Sequence, residues 1–206
     1  MISDARWQVF CETKGFMPDD EGRALHLAGC EAAQFGPLLE VGTYCGKSAI
    51  LLGSAAEAAG TVLFTVDHHR GSDENQAGWE HHDPEVVDPT TGRMDTLPFF
   101  RRAISAADLE ESVVAVVGHS VPVARAWRTP LALLFIDGGH AENVAMADYD
   151  HWSSHVMPAG TLAIHDVFEN PDDGGQAPFH VWQRAVADGF EPISTTGSLR
   201  VVRRTR

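Results

Sequence analysis

The stretch Pro37–Ser48, PLLEVGTYCGKS, decides how the rest of the chain is read. Leu38, Leu39 and Val41 form a short apolar run with the length of a buried strand. Gly42 and Gly46 let the backbone turn tightly after it, and Lys47–Ala59, KSAILLGSAAEAA, has the composition of a helix. A strand, a glycine turn and a helix N-terminus together form a cradle of backbone N–H groups at the positive end of a helix dipole. Glu40 stands beside that turn, and its carboxylate repels phosphate while attracting a cationic group. Two phosphate-binding patterns each miss by one residue. The pattern G-x-x-x-x-G-K-[ST] needs a glycine where Val41 stands. The pattern G-x-G-x-x-G needs one where Tyr44 stands. A strand–turn–helix without a ligand is the plain alternative, because glycine turns are common.

The bulk properties narrow the classes. A chain of 206 residues fits one domain over 1–206 with room for a real core. With 44% hydrophobic and 21% charged residues it reads as a soluble globule, not a disordered or fibrous chain. Its longest apolar runs, such as Leu131–Ile136, are too short to cross a bilayer, so no membrane partner is expected. The start, MISDARWQVF, lacks the basic flank and apolar core of a secretory signal. Cys11, Cys30 and Cys45 are scattered, form no C-x-x-C pair and read as reduced thiols of a cytoplasmic protein. The formal net charge is −14, and Lys14 and Lys47 are the only lysines. No basic stripe can be drawn, which excludes nucleic acid as a partner.

Along the chain, apolar strands alternate with helices. Residues 1–34 read as helices broken at Pro18-Asp19-Asp20. Thr61–Val66, Val113–Val117, Leu131–Ile136 and Thr161–Ile164 read as further buried strands. Helices are expected over Leu97–Ala107, Ala141–His155 and Pro178–Asp188, with Pro158-Ala159-Gly160 as a turn. Phe190–Ser194 and Leu199–Arg203 flank Thr195-Thr196-Gly197-Ser198 as a closing hairpin. Such alternation means an α/β fold whose mostly parallel sheet is covered on both faces. Residues 68–95 break the pattern. The segment has neither period, and its four histidines, Trp79, Arg70 and Arg93 are rich for a linker, so a lid is expected.

Ligands of open parallel sheets bind at the carboxyl ends of the strands. Every strand here delivers a polar residue to that edge: Glu40, Asp67, His119-Ser120, Asp137 and His165-Asp166. Each one alone reads as well as a helix cap. Together they point to a ligand cleft. Neighbouring strands lie about 5 Å apart, so if the strands before Asp137 and Asp166 are adjacent, the two carboxylates can share a hard cation such as Mg²⁺. The alternative is two acids that merely cap loops. His140, three residues beyond Asp137, offers an imidazole able to take a proton near pH 7; His165 is the second candidate base.

Glu40-Val41-Gly42-Thr43-Tyr44-Cys45-Gly46 fits acid-x-Gly-x-x-x-Gly, and with Ser48 it resembles the first motif of class I S-adenosylmethionine (AdoMet) methyltransferases of the catechol and caffeoyl-CoA type. The runs LLFIDGGHAENVAMADYDHW and GTLAIHDVF resemble the macrocin-type group of sugar O-methyltransferases, over roughly residues 36–170. The resemblance implies a Rossmann-like class I methyltransferase sheet of seven strands ending in a β-hairpin. It implies AdoMet and Mg²⁺ as cofactors. Glu40 would then sit near the AdoMet ammonium, Gly42 and Gly46 would allow close approach to its amino acid and ribose, and Tyr44 and Ser48 would belong to the same cofactor site. Asp67 would take the ribose, His119 and Ser120 would border the adenine, and Asp137 would close the cofactor site. Asp137 and the pair His165-Asp166 match the metal positions, with His165 standing where such enzymes carry an acid, so that binding the metal through nitrogen, binding substrate and merely flanking the site are all open to it. Their catalytic lysine is missing too, since no lysine follows Lys47, and His140 takes its place. The acceptor implied is a small sugar. Within the group the chain is similar to actinobacterial members, which implies the 1-hydroxyl of a short 3-O-methylated mannoside in methylmannose polysaccharide biosynthesis. A homodimer is the expected assembly. A catechol acceptor, an NAD-dependent oxidoreductase and a nucleotide-binding module without turnover are the competing readings; the oxidoreductase lacks its middle glycine at Tyr44.

Overall fold

The structure, a computed structural model, describes residues 2–72 and 83–205. Helix α1 (Asp4–Glu12) starts where the Ser3 hydroxyl accepts the Arg6 N–H. Helix α2 (Asp19–Ala32) follows Pro18 and carries Asp19, Asp20 and Glu21 in its first turn, where the helix dipole favours acids. Strand β1 (Leu38–Val41) is buried throughout, and Gly46 opens α3 (Lys47–Ala58) from the left-handed region, at φ 90°. Next come β2 (Leu63–Asp67), the short strands β3 (Val87–Asp88) and β4 (Arg93–Met94), and α4 (Leu97–Ala106). The second half runs β5 (Val113–Val117), α5 (Ser120–Ala126), β6 (Leu131–Ile136), α6 (Glu142–Trp152) and β7 (Val156–Ile164). It ends with α7 (Ala177–Ala187), β8 (Phe190–Thr196) and β9 (Leu199–Arg204).

The main sheet has seven strands in the order β5-β2-β1-β6-β7-β9-β8. Five run parallel, while β9 lies antiparallel to β7 and β8 antiparallel to β9. This is the sheet with a closing hairpin that the resemblance implied. The chain proceeds outward from β1 to β2 and β5, then returns to the other side of β1 with β6 and β7. The order therefore reverses between β1 and β6, and the crevice above that point is where such sheets bind ligands. Alternate side chains face opposite layers. Leu38, Leu133, Phe135 and Ala163 pack with Phe10, Leu25, Ile50 and Phe100 on the side of α1–α4. Leu39, Leu134, Ile136 and Leu162 pack with Tyr149, Trp152 and Val181 on the other. Each fully buried leucine or isoleucine contributes about 1.5–3 kcal/mol, enough together to hold the sheet ends in place.

Three stretches differ from expectation. Helix α5 is not among the elements expected from the sequence, because SVPVARA is too short to show a helical period and carries Pro122, which a first helical turn tolerates. Pro158-Ala159-Gly160 is not a turn between elements but a bulge inside β7. The register with β6 slips between Leu131 and Leu133, and Ala159 takes φ 60°. The segment 68–95 is not wholly irregular, since Val87 pairs with Met94 and Asp88 with Arg93. Val86 and Met94 are buried against Cys45, with Tyr44 and Phe99 packed around them, so this end is fastened to the body. Residues 73–82 of the expected lid, with Trp79, His81 and His82, lie outside the described residues. Cys11, Cys30 and Cys45 are free thiols. Among the described residues no helix is long and apolar enough to cross a membrane.

Candidate active site

The site is built on the ends of β1, β2, β6 and β7. Glu40, the penultimate residue of β1, is fully buried. Its Oε1 accepts the Ser48 hydroxyl at 2.6 Å, and its Oε2 has no hydrogen-bond partner among the described residues. Burial pushes this carboxyl up to about 8, Asp137 and Asp67 push the same way, and only Ser48 opposes them. A buried carboxyl oxygen left bare at the floor of a glycine cradle is matched to a cationic group. Gly42 has φ 87°, and a Cβ there would collide with the carbonyl oxygen of Asp137. The close approach that Gly42 permits is thus first of all to the end of β6, which locks the turn against Asp137.

Asp67 sits at the mouth of the same turn. Its Oδ2 accepts the N–H groups of Thr43 and Tyr44 at 2.9 and 3.0 Å, and Oδ1 accepts that of His69 at 2.7 Å. A carboxylate offers about four acceptor sites, so capacity remains for a hydroxyl donor. The backbone of Tyr44 lies in the turn at φ 48°, and its ring packs beside Phe16, centroid to centroid 5.6 Å. The Tyr44 hydroxyl donates to Asp83 at 3.0 Å, where Lys14 Nζ also binds at 2.6 Å. His119 is exposed at the N-terminus of α5, its ring centroid 4.5 Å from that of His68. The Ser120 hydroxyl accepts Trp152 Nε1–H at 2.8 Å and bonds Asp148, whose carboxyl burial lifts to about 6. Ser120 therefore ties α5 to α6 beneath the site.

Strands β6 and β7 are neighbours, with Ile136 opposite Ile164. Asp137 and His165 consequently emerge side by side. His165 is 3% exposed, its Nδ1 lying 3.0 Å from Asp137 Oδ1 and 3.4 Å from Asp166 Oδ2. On the other side of the ring, Nε2 lies 2.6 Å from Glu21 Oε2. Burial disfavours the charged imidazole, yet Asp137, Asp166 and Glu21 outweigh it and push it up to about 12. In this arrangement both ring nitrogens donate to carboxylates. Burial likewise acts against the Asp166 carboxylate, but His140 and His165 hold it far below the usual range. His140 Nε2 lies 3.1 Å from Asp166 Oδ2. Asp137, His165 and Asp166 each present one ligand atom, all within 4.8 Å of one another, a donor set of two carboxylates and an imidazole that fits a divalent cation. The sequence reading missed Glu21. It lies 144 positions from His165, and its only local signal is that of an acid in a first helical turn.

A family profile described as a methyltransferase domain matches residues 39–167, from the glycine cradle to just past Asp166. The chain belongs to the methyltransferase-domain family. Solved structures agree on the fold of this methyltransferase domain. The cofactor-bound protein Rv0187 from MTB has 18% identity and a TM-score of 0.68, covering 98% of this chain and 89% of that one. The O-methyltransferase NovP has 18% identity and a TM-score of 0.67, covering 91% and 80%. TomG, an O-methyltransferase from Streptomyces achromogenes involved in tomaymycin synthesis and solved with SAM, has 16% identity and a TM-score of 0.66, covering 100% and 92%.

Proposed function

We propose that this methyltransferase transfers a methyl group from AdoMet to a hydroxyl of a small sugar, with a divalent cation at Asp137 and Asp166 for which the sequence resemblance names Mg²⁺. The observation that carries the reading is the pairing of two features in one crevice. One is the buried Glu40 carboxyl with its bare Oε2, suited to an ammonium; the other is the Asp137–Asp166–His140 group beside it. That NovP and TomG are named O-methyltransferases, and that TomG was solved with SAM, supports the choice of cofactor and acceptor atom.

AdoMet, when bound, supplies an electrophilic methyl group, and a divalent cation, when bound, supplies Lewis acidity toward an acceptor oxygen. The chain does the rest. Glu40 holds positive charge at the floor of the cradle, and Asp67 accepts from hydroxyls at its mouth. His140 donates its Nε2–H to Asp166, which puts its lone pair on Nδ1. There it would take the proton of the acceptor hydroxyl as that oxygen bonds the methyl carbon and the methyl–sulfur bond breaks, with S-adenosylhomocysteine as the leaving group, and Asp166 would steady the imidazolium that results. The specific acceptor, the 1-hydroxyl of a short 3-O-methylated mannoside, rests on the overall resemblance of roughly residues 36–170 to sugar O-methyltransferases. The test is a methyl-transfer assay across short mannosides with and without 3-O-methyl groups, beside catechol and caffeate. Methylation of a mannoside at its reducing-end hydroxyl is expected. Turnover of catechols alone would move the acceptor class, and transfer to no hydroxyl at all would overturn the reading.

A further inference from the structure

His165 is held by a set of contacts that no helix cap requires. Glu21, at the start of α2, is buried and fully committed. Its Oε1 accepts the Ser198 N–H at 2.7 Å, while Oε2 accepts the Ser198 hydroxyl at 3.1 Å and His165 Nε2–H at 2.6 Å. The β8–β9 turn is shaped for this, because Gly197 takes φ 51° and a Cβ there would collide with Glu21 Oε1. With Nε2–H spent on Glu21, the other nitrogen, Nδ1, faces Asp137 Oδ1 and Asp166 Oδ2. Asp166 takes φ 55° and its carboxylate lies beside the same ring. A histidine that donates one N–H to a buried carboxylate and turns its other nitrogen toward two acids has the arrangement of a metal-ligating histidine with its orienting partner.

We infer that His165 Nδ1 is a nitrogen ligand of the cation site, positioned by Glu21, and that the site therefore selects ions of the Co²⁺, Ni²⁺ or Zn²⁺ class over Mg²⁺. Mg²⁺ demands oxygen ligands, whereas imidazole suits the later divalent ions. On binding, the ion takes the place of the Nδ1 proton, which leaves to solvent. The inference rests on the proposed function only in taking Asp137 and Asp166 as cation ligands. It is independent of AdoMet.

The test uses the metal-stripped full chain with saturating S-adenosylhomocysteine, titrated calorimetrically with Co²⁺ and with Mg²⁺. Pulsed electron paramagnetic resonance of bound Mn²⁺ reads nitrogen coupling directly. Co²⁺ is expected to bind about 100-fold or more tightly than Mg²⁺, and Mn²⁺ to show nitrogen coupling. His165→Asp should abolish that coupling and lower the Co²⁺-to-Mg²⁺ affinity ratio at least about 10-fold. Glu21→Gln should weaken Co²⁺ binding about 10–100-fold while S-adenosylhomocysteine still binds, with circular dichroism confirming the fold. Bound Mn²⁺ without nitrogen coupling, or an unchanged ratio in His165→Asp, overturns the inference. So does S-adenosylhomocysteine binding with no cation binding, which leaves the methyltransferase reading intact. A nitrogen-ligated ion in a protein that binds no S-adenosylhomocysteine would do the reverse.

Discussion

Glu40 is the residue on which the cofactor reading turns, and its chemistry has a pH signature. Its carboxyl is raised to about 8 in the folded chain by burial, with Asp137 and Asp67 adding and the Ser48 hydroxyl opposing. An acid raised on folding contributes stability that is fully present below its unfolded pKa, near 4.5, and is lost as pH rises through about 8. Between pH 5 and 8 the ligand-free protein should therefore lose more thermal stability than Glu40→Gln does, and parallel melting curves for the two would count against the shift. An ammonium placed at Oε2 stabilises the ionised form, so Glu40→Gln should weaken AdoMet at least about 10-fold, or about 1.4 kcal/mol. His140→Ala belongs to the chemical step instead. It is expected to cut kcat about 10²–10⁴-fold with KM little changed, and a loss confined to KM would remove His140 as the base. The residues of the site were legible where they follow apolar runs, since a strand's last polar residue marks the ligand edge. Glu21 was not legible, because its partners His165 and Ser198 reach it only through tertiary folding, at 144 and 177 positions' remove.

The joint between the β1–α3 turn and the end of β6 is the part that cannot give. Gly42 is left-handed and abuts the Asp137 backbone, so Gly42→Ala meets both strain and collision. Strain of that kind costs about 1–3 kcal/mol, and in a chain of this size each kcal/mol lowers Tm by about 2–4 °C. Differential scanning calorimetry should show the loss together with weakened AdoMet binding. A variant as stable as the parent would mean that the turn relaxes freely. Elements with long apolar runs were readable from sequence because burial alone selects them. The bulge at Pro158-Ala159-Gly160 was not, because glycine and proline mark a bulge and a turn alike, and only pairing with β6 tells them apart. The β3–β4 pair escaped for a related reason: two-residue strands carry no period, and their stability comes from Val86 and Met94 packing on Cys45.

Over the whole molecule, the sheet order gathers groups from both halves of the chain above one crevice. Glu40 and Asp67 come from the first half, Asp137, His140, His165 and Asp166 from the second, and Glu21 with Ser198 braces them from the side of α2 and the closing hairpin. A ligand in that crevice contacts both halves, so S-adenosylhomocysteine at 100 times its Kd should stabilise the fold by about 2.7 kcal/mol, visible as a raised Tm. The central claim is that this crevice takes AdoMet and not a dinucleotide, and isothermal titration of the full chain with AdoMet, S-adenosylhomocysteine and NAD tests it most directly. The expected result is saturable one-site binding of AdoMet and S-adenosylhomocysteine, weakened in Glu40→Gln, with no heat from NAD. Tight binding of NAD with none of AdoMet would contradict it.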